Sequence, residues 1–308
     1  MAEAGVATVV GTGGRRSKLF RVGEVKPYLF VLPFIGLEAL FLLLPLGMSL
    51  YYSLFDIKYL IVGDFVGLQN YFEIFSNRRF LASVGVTMTF SLFSLFFTFI
   101  VGFALALWLV KDNGHSVFMR AIILVPYVIS MLVGSLLLKW VLSQDAGLTD
   151  LLLGPLGIPS LSILGDPSTA MAAIVYNGVW RDSAFAMMLL MAGLKSIPLH
   201  IYQAAKVDGA SKLYTFWRIT LPLMRMPILI TLVRLLLYFV NSLTFQLVLT
   251  GGGPAGATTN IVLHMYRSAF EDSLLGLGNA MSFVLFLFNL AIIAVIIILF
   301  RVSGRTPK

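Results

Sequence analysis

Long apolar blocks without charge constrain this sequence more than any other feature. The block from Val84 to Val110 holds no acidic or basic residue. At roughly 1.5 Å per residue, it forms a helix of about 40 Å, which crosses a hydrocarbon core of about 30 Å with some tilt. Over the whole chain of 308 residues, 59% are hydrophobic and only 12% are charged. A water-soluble fold cannot cover that much apolar surface, so we expect helices that span a membrane.

The other apolar blocks, interpreted in the same way, predict an all-α membrane protein with six transmembrane helices. We expect them at 27–55, 84–110, 121–142, 169–194, 222–249 and 276–300. This predicts a transmembrane domain at 27–300, with an N-terminal tail at 1–26 and a C-terminal tail at 301–308. Pro126 lies inside the third span, where we expect a kink rather than a break, because neighbouring groups can satisfy the freed carbonyl.

Basic residues are distributed unequally among the segments that join these spans. If the N-terminus is inside, fourteen Lys and Arg residues lie in the inner segments and four lie in the outer loops. Lys and Arg accumulate on the cytoplasmic side of membrane proteins, so we expect both termini to be cytoplasmic. The net charge of +8 then reflects orientation, and we expect no nucleic acid partner.

The fourth loop, 195–221, carries a spaced pattern of small and apolar residues. It predicts a short helix, a stop at a glycine, and a second helix that ends where a proline opens the next span. The small side chains of Ala204 and Ala205 would permit another protein to approach closely, which predicts a docking element. The pattern consists of Gln203, Ala204, Ala205, Asp208, Gly209, Ala210, Ile219, Leu221 and Pro222.

This loop resembles the EAA loop of bacterial ABC importer permeases. That loop reads Glu-Ala-Ala, three residues, Gly, nine residues, Ile, any residue, Leu-Pro, and Asp208-Gly209-Ala210 is typical of its sugar-importer branch. Two further phrases, 64–71 and 249–254, resemble segments of the same family, so the resemblance covers about 27–300. Gln203 stands at the position of the family's glutamate, so that charge is missing here.

The resemblance implies a permease subunit in a bacterial inner membrane. The loop would sit in a groove of a cytoplasmic ATPase and transmit ATP-driven closure to the spans. The implied partners are a second, homologous permease, a dimer of ATPase subunits, an extracytoplasmic solute-binding protein and membrane lipid. ATP and Mg would be bound by the ATPase, with no cofactor and no catalytic site in this chain. The implied solute is a sugar or a related polyhydroxylated compound.

Polar residues inside the spans are candidates for a solute pathway, because they are costly in a bilayer. Asn177 and Arg181 lie four residues apart and share one helix face, which suits a polyhydroxylated solute. Arg181 would also accept an anionic sugar derivative. An equally open alternative is that these side chains bond to neighbouring helices. The remaining candidates are Trp180, Asp182, Asn241 and Gln246.

Two other function classes stay open on the sequence alone. An ion-coupled secondary transporter would need an acidic relay in midspan, for which only Glu38 and Asp182 are available. A membrane-embedded enzyme would need a nucleophile, a base and an orienting group, and no such order is recognisable. The three histidines are too scattered for a metal site, and the chain has no cysteine.

Overall fold

A computed structural model describes residues 26–157 and 159–303 of the chain. These residues divide into two compact units, one that ends at Met48 and one that begins at Ser49. In chain order the elements are α1 (Lys26–Glu38), a π-helical stretch (Ala39–Leu43), α2 (Leu44–Tyr52), β1 (Phe55–Lys58), β2 (Ile61–Phe65), α3 (Gln69–Ser76), α4 (Arg78–Leu109), α5 (Gly114–Val128), α6 (Met131–Val141), α7 (Leu148–Leu153), a 3₁₀ turn (Gly154–Leu156), α8 (Pro167–Ser196), α9 (Leu199–Val207), α10 (Lys212–Thr215), a π-helical stretch (Phe216–Thr220), α11 (Leu221–Leu223), α12 (Arg225–Val240), α13 (Thr244–Leu249), α14 (Ile261–Tyr266), a π-helical stretch (Arg267–Glu271) and α15 (Leu275–Ser303).

Helices of membrane-spanning length occur in both units. Among the described residues, three helices are long and apolar enough to cross a bilayer unbroken: Phe30–Tyr52, Arg78–Leu109 and Leu275–Ile298. Three bent pairs, α5 with α6, α8 with α9, and the α10–α11 segment with α12, raise the number of candidate spans to six. The 30 residues of α8 alone give about 45 Å of helix, so the bend after α8 separates a span from a connecting helix.

Three boundaries differ from the sequence-based prediction. The predicted third span is broken, because α5 and α6 meet at a bend of 92°. Pro126 weakens the last turn of α5 by its missing N–H and its ring, and Ile129 is extended, so the proline marks a break and not the predicted kink. The predicted fifth span is interrupted between α12 and α13. The predicted first span ends at Tyr52, and β1 and β2 form an antiparallel hairpin beyond it.

The centre of the second unit is the seam between α4 and α8. A Cβ placed on Gly102 of α4 would lie 2.5 Å from the Cβ of Ala186 on α8, so only glycine permits this approach. The buried face of α4 around it consists mostly of small residues such as Ser94 and Ala106. Apolar lipid does not drive such helices together, so close packing of small side chains supplies the association.

Asn70 ties the hairpin region to α3. Its side-chain amide donates to the carbonyl oxygens of Ser53 at 2.8 Å and Phe55 at 3.1 Å. The hydroxyl of the next residue, Tyr71, lies 2.6 Å from the Ser53 hydroxyl. Segment 64–71, which carries part of the family resemblance, therefore anchors the start of α3 to the residues around β1.

Candidate functional site

The fourth loop begins with α9, which ends at a left-handed glycine. Gly209 has φ +71°. Its N–H donates to the carbonyl of Lys206 at 3.2 Å, and the N–H of Ala210 donates to that of Ala205 at 2.9 Å, which is the Schellman pattern of helix ends. A Cβ added at Gly209 would meet no atom within 4 Å. The requirement for glycine therefore comes from the backbone conformation and not from packing.

A second helical segment starts directly after this turn. The Ser211 hydroxyl accepts a hydrogen bond from the N–H of Tyr214 at 3.2 Å and so caps α10. The chain then continues through the π-helical stretch Phe216–Thr220 into α11. The Tyr202 hydroxyl on α9 lies 3.2 Å from the Thr220 hydroxyl, which joins the two limbs. The loop thus has the predicted shape of helix, glycine stop and helix.

The tip of this loop exposes apolar side chains. Val207 is 87% exposed and Leu213 is 69% exposed, on either side of the glycine turn. Gln203 and Ala204 are also exposed, whereas Ala205 is only 6% exposed. The expectation that both alanines face a partner is therefore wrong for Ala205, whose side chain is packed inside. The surface available to a partner includes Gln203, Ala204, Val207 and Leu213.

The rest of the sequence pattern extends from the turn to the next span. Asp208 is exposed at the C-cap of α9. Ile219 and Leu221 are half-buried, and Pro222 is exposed within the short helix α11. The next span does not open at Pro222 as predicted: α12 starts at Arg225, after a bend of 65°. The bend gives the loop an angular connection to α12 rather than a straight one.

Arg181 and Asn177 both donate hydrogen bonds to the broken third span. The Arg181 guanidinium donates to the carbonyl of Pro126 at 3.2 Å and to that of Ile129. The end of α5 leaves such carbonyls without intrahelical partners, and a cation there also opposes the negative end of the helix dipole. The Asn177 amide donates to the Ser135 hydroxyl of α6 at 2.9 Å. The face shared by these residues therefore holds both halves of the break.

Asp182 faces the opposite neighbour, α12. Its side chain is fully buried, and a carboxylate oxygen lies 3.5 Å from the guanidinium of Arg234, whose side chain is 32% exposed. Within the described part of the chain, neither carboxylate oxygen has a hydrogen-bond partner, so the contact is a charge pair. The Arg234 guanidinium carbon also lies 3.9 Å from the ring centre of Phe185 and 4.6 Å from that of Tyr238. Such stacking favours a cation where water is scarce.

These contacts form one cluster in the middle of α8. The Tyr127 and Phe185 rings stack with centres 5.4 Å apart, and the Arg181 guanidinium lies 5.5 Å from the Tyr127 centre. We call it the guanidinium cluster: Tyr127, Arg181, Asp182, Phe185, Arg234 and Tyr238. Two guanidinium groups against one carboxylate leave an excess of one positive charge. Arg234 was not among the predicted pathway residues; its position inside an apolar block left it open as either a packing or a pathway residue.

The remaining pathway candidates lie apart from this cluster in their contacts. Asn241 exchanges two amide hydrogen bonds with Asn289 of α15, at 3.2 and 3.0 Å. Gln246 is buried and accepts from the Ser242 hydroxyl at 3.1 Å. Trp180 is half-buried, near Gly134 of α6. The structure therefore gives Asn177, Arg181, Asp182, Asn241 and Gln246 protein partners, and contact with a solute stays a prediction.

This architecture defines a helical membrane protein in which some spans are bent and carry polar residues. Its fourth loop is exposed and consists of two short helices joined by a turn. Known proteins match it over most of its length. The trehalose/maltose transport system permease protein MalF of Thermococcus litoralis is 36% identical over 268 residues, covering 86% of this chain and 90% of the relative. The sn-glycerol-3-phosphate transport system permease protein UgpA of Yersinia pestis is 30% identical and covers 92% of this chain and 95% of its own.

A solved structure shares the fold. It is a chain of a bacterial alginate ABC transporter in complex with alginate pentasaccharide-bound periplasmic protein, with a TM-score of 0.75 and 23% identity over 92% of this chain and 96% of the other. The family model described as "Binding-protein-dependent transport system inner membrane component" matches residues 59–306. The chain belongs to this family of membrane permease components, which are transport subunits and not enzymes.

Proposed function

We propose that the chain is one permease subunit of an ATP-driven importer for a sugar or a related polyhydroxylated solute. Family membership supports the permease role, and the names of the relatives support the solute class. The observation that carries the coupling to ATP is the fourth loop, in which two short helices meet at Gly209 and expose apolar side chains at their tip.

Exposure of Val207 and Leu213 argues for a protein partner at this tip. Both side chains stand beside charged Lys206, Asp208 and Lys212, so they do not lie in a hydrocarbon environment. Burial of a valine and a leucine side chain stabilises an interface by about 1.5 to 3 kcal/mol each. In the proposed orientation, with both termini and this loop in the cytoplasm, the partner is an ATPase subunit that binds ATP and Mg.

The same orientation defines the other partners. The importer would contain a second, homologous permease, a dimer of ATPase subunits and an extracytoplasmic solute-binding protein, all at the cell membrane. The alginate transporter structure, a complex with a periplasmic protein that has bound alginate pentasaccharide, supports the last of these. The chain itself would need no cofactor.

Co-purification tests the docking surface. Full-length chain carrying Val207→Glu and Leu213→Glu should lose most of the ATPase that wild type retains, because two charges would enter an apolar interface. The matched control is Leu156→Glu, an equally exposed leucine at 73% in the third loop, which should retain it. Equal retention by all three proteins would contradict docking at this tip.

The guanidinium cluster supports an anionic form of the solute. Arg181 is engaged by helix carbonyls and Arg234 is paired with Asp182, so the cluster keeps one excess positive charge. The part of it open to a solute is the one-third exposed side chain of Arg234, beside two aromatic rings. A ring face and a guanidinium together suit a sugar that bears an acidic group. The alginate and glycerol-phosphate names of the similar proteins agree with this chemistry.

Competition for uptake separates acidic from neutral solutes. Unlabelled uronic acid disaccharide should inhibit transport by the intact importer more strongly than its neutral counterpart. Arg234→Lys keeps the charge but loses the planar fork and should weaken that preference. A stronger effect of the neutral disaccharide would contradict the anionic proposal and leave the permease role intact.

A further inference from the structure

A cavity lies where the fourth loop meets the end of α4. Its volume is about 910 Å³, within the range of sites that hold small ligands. Its apolar lining includes Leu107 of α4, Val110 directly after α4, and Leu194 of α8. The opposite side consists of both limbs of the loop, including Phe216.

Three lysines converge on this cavity from separate segments. Lys111 follows α4, Lys206 belongs to α9, and Lys212 begins α10. Hydroxyl groups of Tyr202, Ser211 and Thr215 also line it. We call it the lysine cavity, defined by Lys111, Lys206 and Lys212. Three ammonium groups form a surface that favours a group of more than one negative charge.

The neighbouring acidic group does not neutralise these lysines. Asp112 lies 2.6 Å from the ammonium of Lys195 and 3.0 Å from the guanidinium of Arg120. The hydrogen bond from Lys195, and to a smaller extent that from Arg120, holds the pKa of the Asp112 carboxyl below its ordinary value. Among the described residues, the ion pairs include none of the three cavity lysines. The positive charge of the cavity is therefore available to a ligand from outside the chain.

The surroundings of the cavity are those of a membrane boundary. Trp108 and Trp217 are each 58% exposed beside its two sides, and tryptophan is enriched at the level of lipid headgroups. An anionic leaflet attracts lysines near its surface, and apolar Leu107 offers a path for an acyl chain. The cavity therefore combines cationic and apolar side chains, which match the phosphate group and the acyl chains of a phospholipid.

We propose that the lysine cavity binds a phosphate group, and that the bound phosphate links the end of α4 to both limbs of the fourth loop. The phosphate can belong to an anionic lipid headgroup or can be free in the cytoplasm. Its effect on ATPase docking rests on the proposed function, whereas the binding itself does not. Occupancy would hold α9 and α10 at a fixed distance from α4 and so steady the exposed tip.

Lipid retention by the full-length protein tests this site. Native mass spectrometry would count phosphatidylglycerol molecules that stay bound after purification from nanodiscs with phosphatidylcholine as the bulk lipid. The test variant carries Lys111→Gln, Lys206→Gln and Lys212→Gln. The control removes the same charge outside the fourth loop, through Lys58→Gln, Lys139→Gln and Arg78→Gln. A third variant replaces the three cavity lysines with arginine and keeps the charge.

Each lysine near an anionic surface contributes about fivefold to affinity, so the test variant should bind phosphatidylglycerol on the order of a hundredfold more weakly. The control and the arginine variant should retain it. If added inorganic phosphate displaces the lipid from wild type and itself protects the loop from proteolysis, the free anion occupies the same site. Loss by the test variant but not by the arginine variant also excludes simple misfolding.

Two results would overturn the proposal. The first is equal phosphatidylglycerol retention by wild type and the test variant, together with no protection by inorganic phosphate. The second is loss of ATPase from the test variant in phosphatidylcholine alone, which would assign the lysines to the ATPase contact. Failure of the proposed function would show instead as absent ATP-driven uptake with lipid retention unchanged.

Discussion

A substitution series at Gly209 tests the proposal that the fourth loop joins ATP use to transport. The residue has φ +71°, and a Cβ there would contact nothing within 4 Å, so backbone strain is the whole perturbation. An ordinary L-residue in this conformation costs roughly 1 to 2 kcal/mol, whereas asparagine adopts it more readily. A β-branched residue costs more, about 1 to 3 kcal/mol. The loss of coupling should therefore be smallest for Gly209→Asn, larger for Gly209→Ala and largest for Gly209→Val.

The assay is ATP hydrolysis by the assembled importer with and without solute-loaded binding protein. Gly209→Val should lose most of the stimulation and most of the uptake, and Gly209→Asn should stay near wild type. Gly114→Val is the matched control, because Gly114 also has open space around its Cβ but is not left-handed. Equal activity of Asn and Val variants would refute the strain argument, and normal activity of all variants would refute coupling through this loop.

Three further predictions concern charge and orientation. Arg234→Met should lower the free energy of unfolding of the solubilised protein by about 3 to 5 kcal/mol, because Asp182 would remain buried without its partner. The double variant with Asp182→Asn should recover most of this loss. A double variant as unstable as the single one would contradict the pairing. Single cysteines at Ser160 and Ser211 should differ in intact cells, since an impermeant thiol reagent should label position 160 and not 211, and the reverse result would invert the orientation. Because the pKa of Asp112 is lowered in the folded state, its ion pairs stabilise the fold above the ordinary carboxyl pKa, and this stability is lost as pH falls through the folded-state pKa. Between about pH 6 and about pH 3, the melting temperature of wild type should therefore fall more than that of Asp112→Asn. Equal falls would contradict this.

Local patterns in the sequence predicted the local parts of the structure. The glycine stop at 209 follows a short helix, and the left-handed turn there needs only neighbouring residues. The second span was also recognisable, because its apolar block is continuous, and it extends from Arg78 to Leu109. The family resemblance was correct, because the family model matches residues 59–306. The motif that suggested it is a fixed spacing within one segment, the fourth loop.

Contacts between distant segments were not predictable in this way. Arg181 comes from another span and donates to carbonyls that the break after α5 leaves exposed, so this contact has no local signal in the sequence. The pairing of Asp182 with Arg234 likewise joins two helices whose register the sequence does not encode locally. Burial of Ala205 results from packing within the folded loop, so its small size alone could not distinguish an inner from an outer position.

Reconstituted transport tests the central claim most directly. Proteoliposomes would contain this chain, its co-purified permease and ATPase partners, and the solute-binding protein with labelled oligosaccharide. The account predicts uptake that requires ATP on the side of the membrane that bears the fourth loop and the solute-binding protein on the opposite side. Collapse of the proton and sodium gradients should leave this uptake unchanged. Uptake by this chain alone, driven by an ion gradient without ATP, would contradict the account and identify a secondary transporter instead.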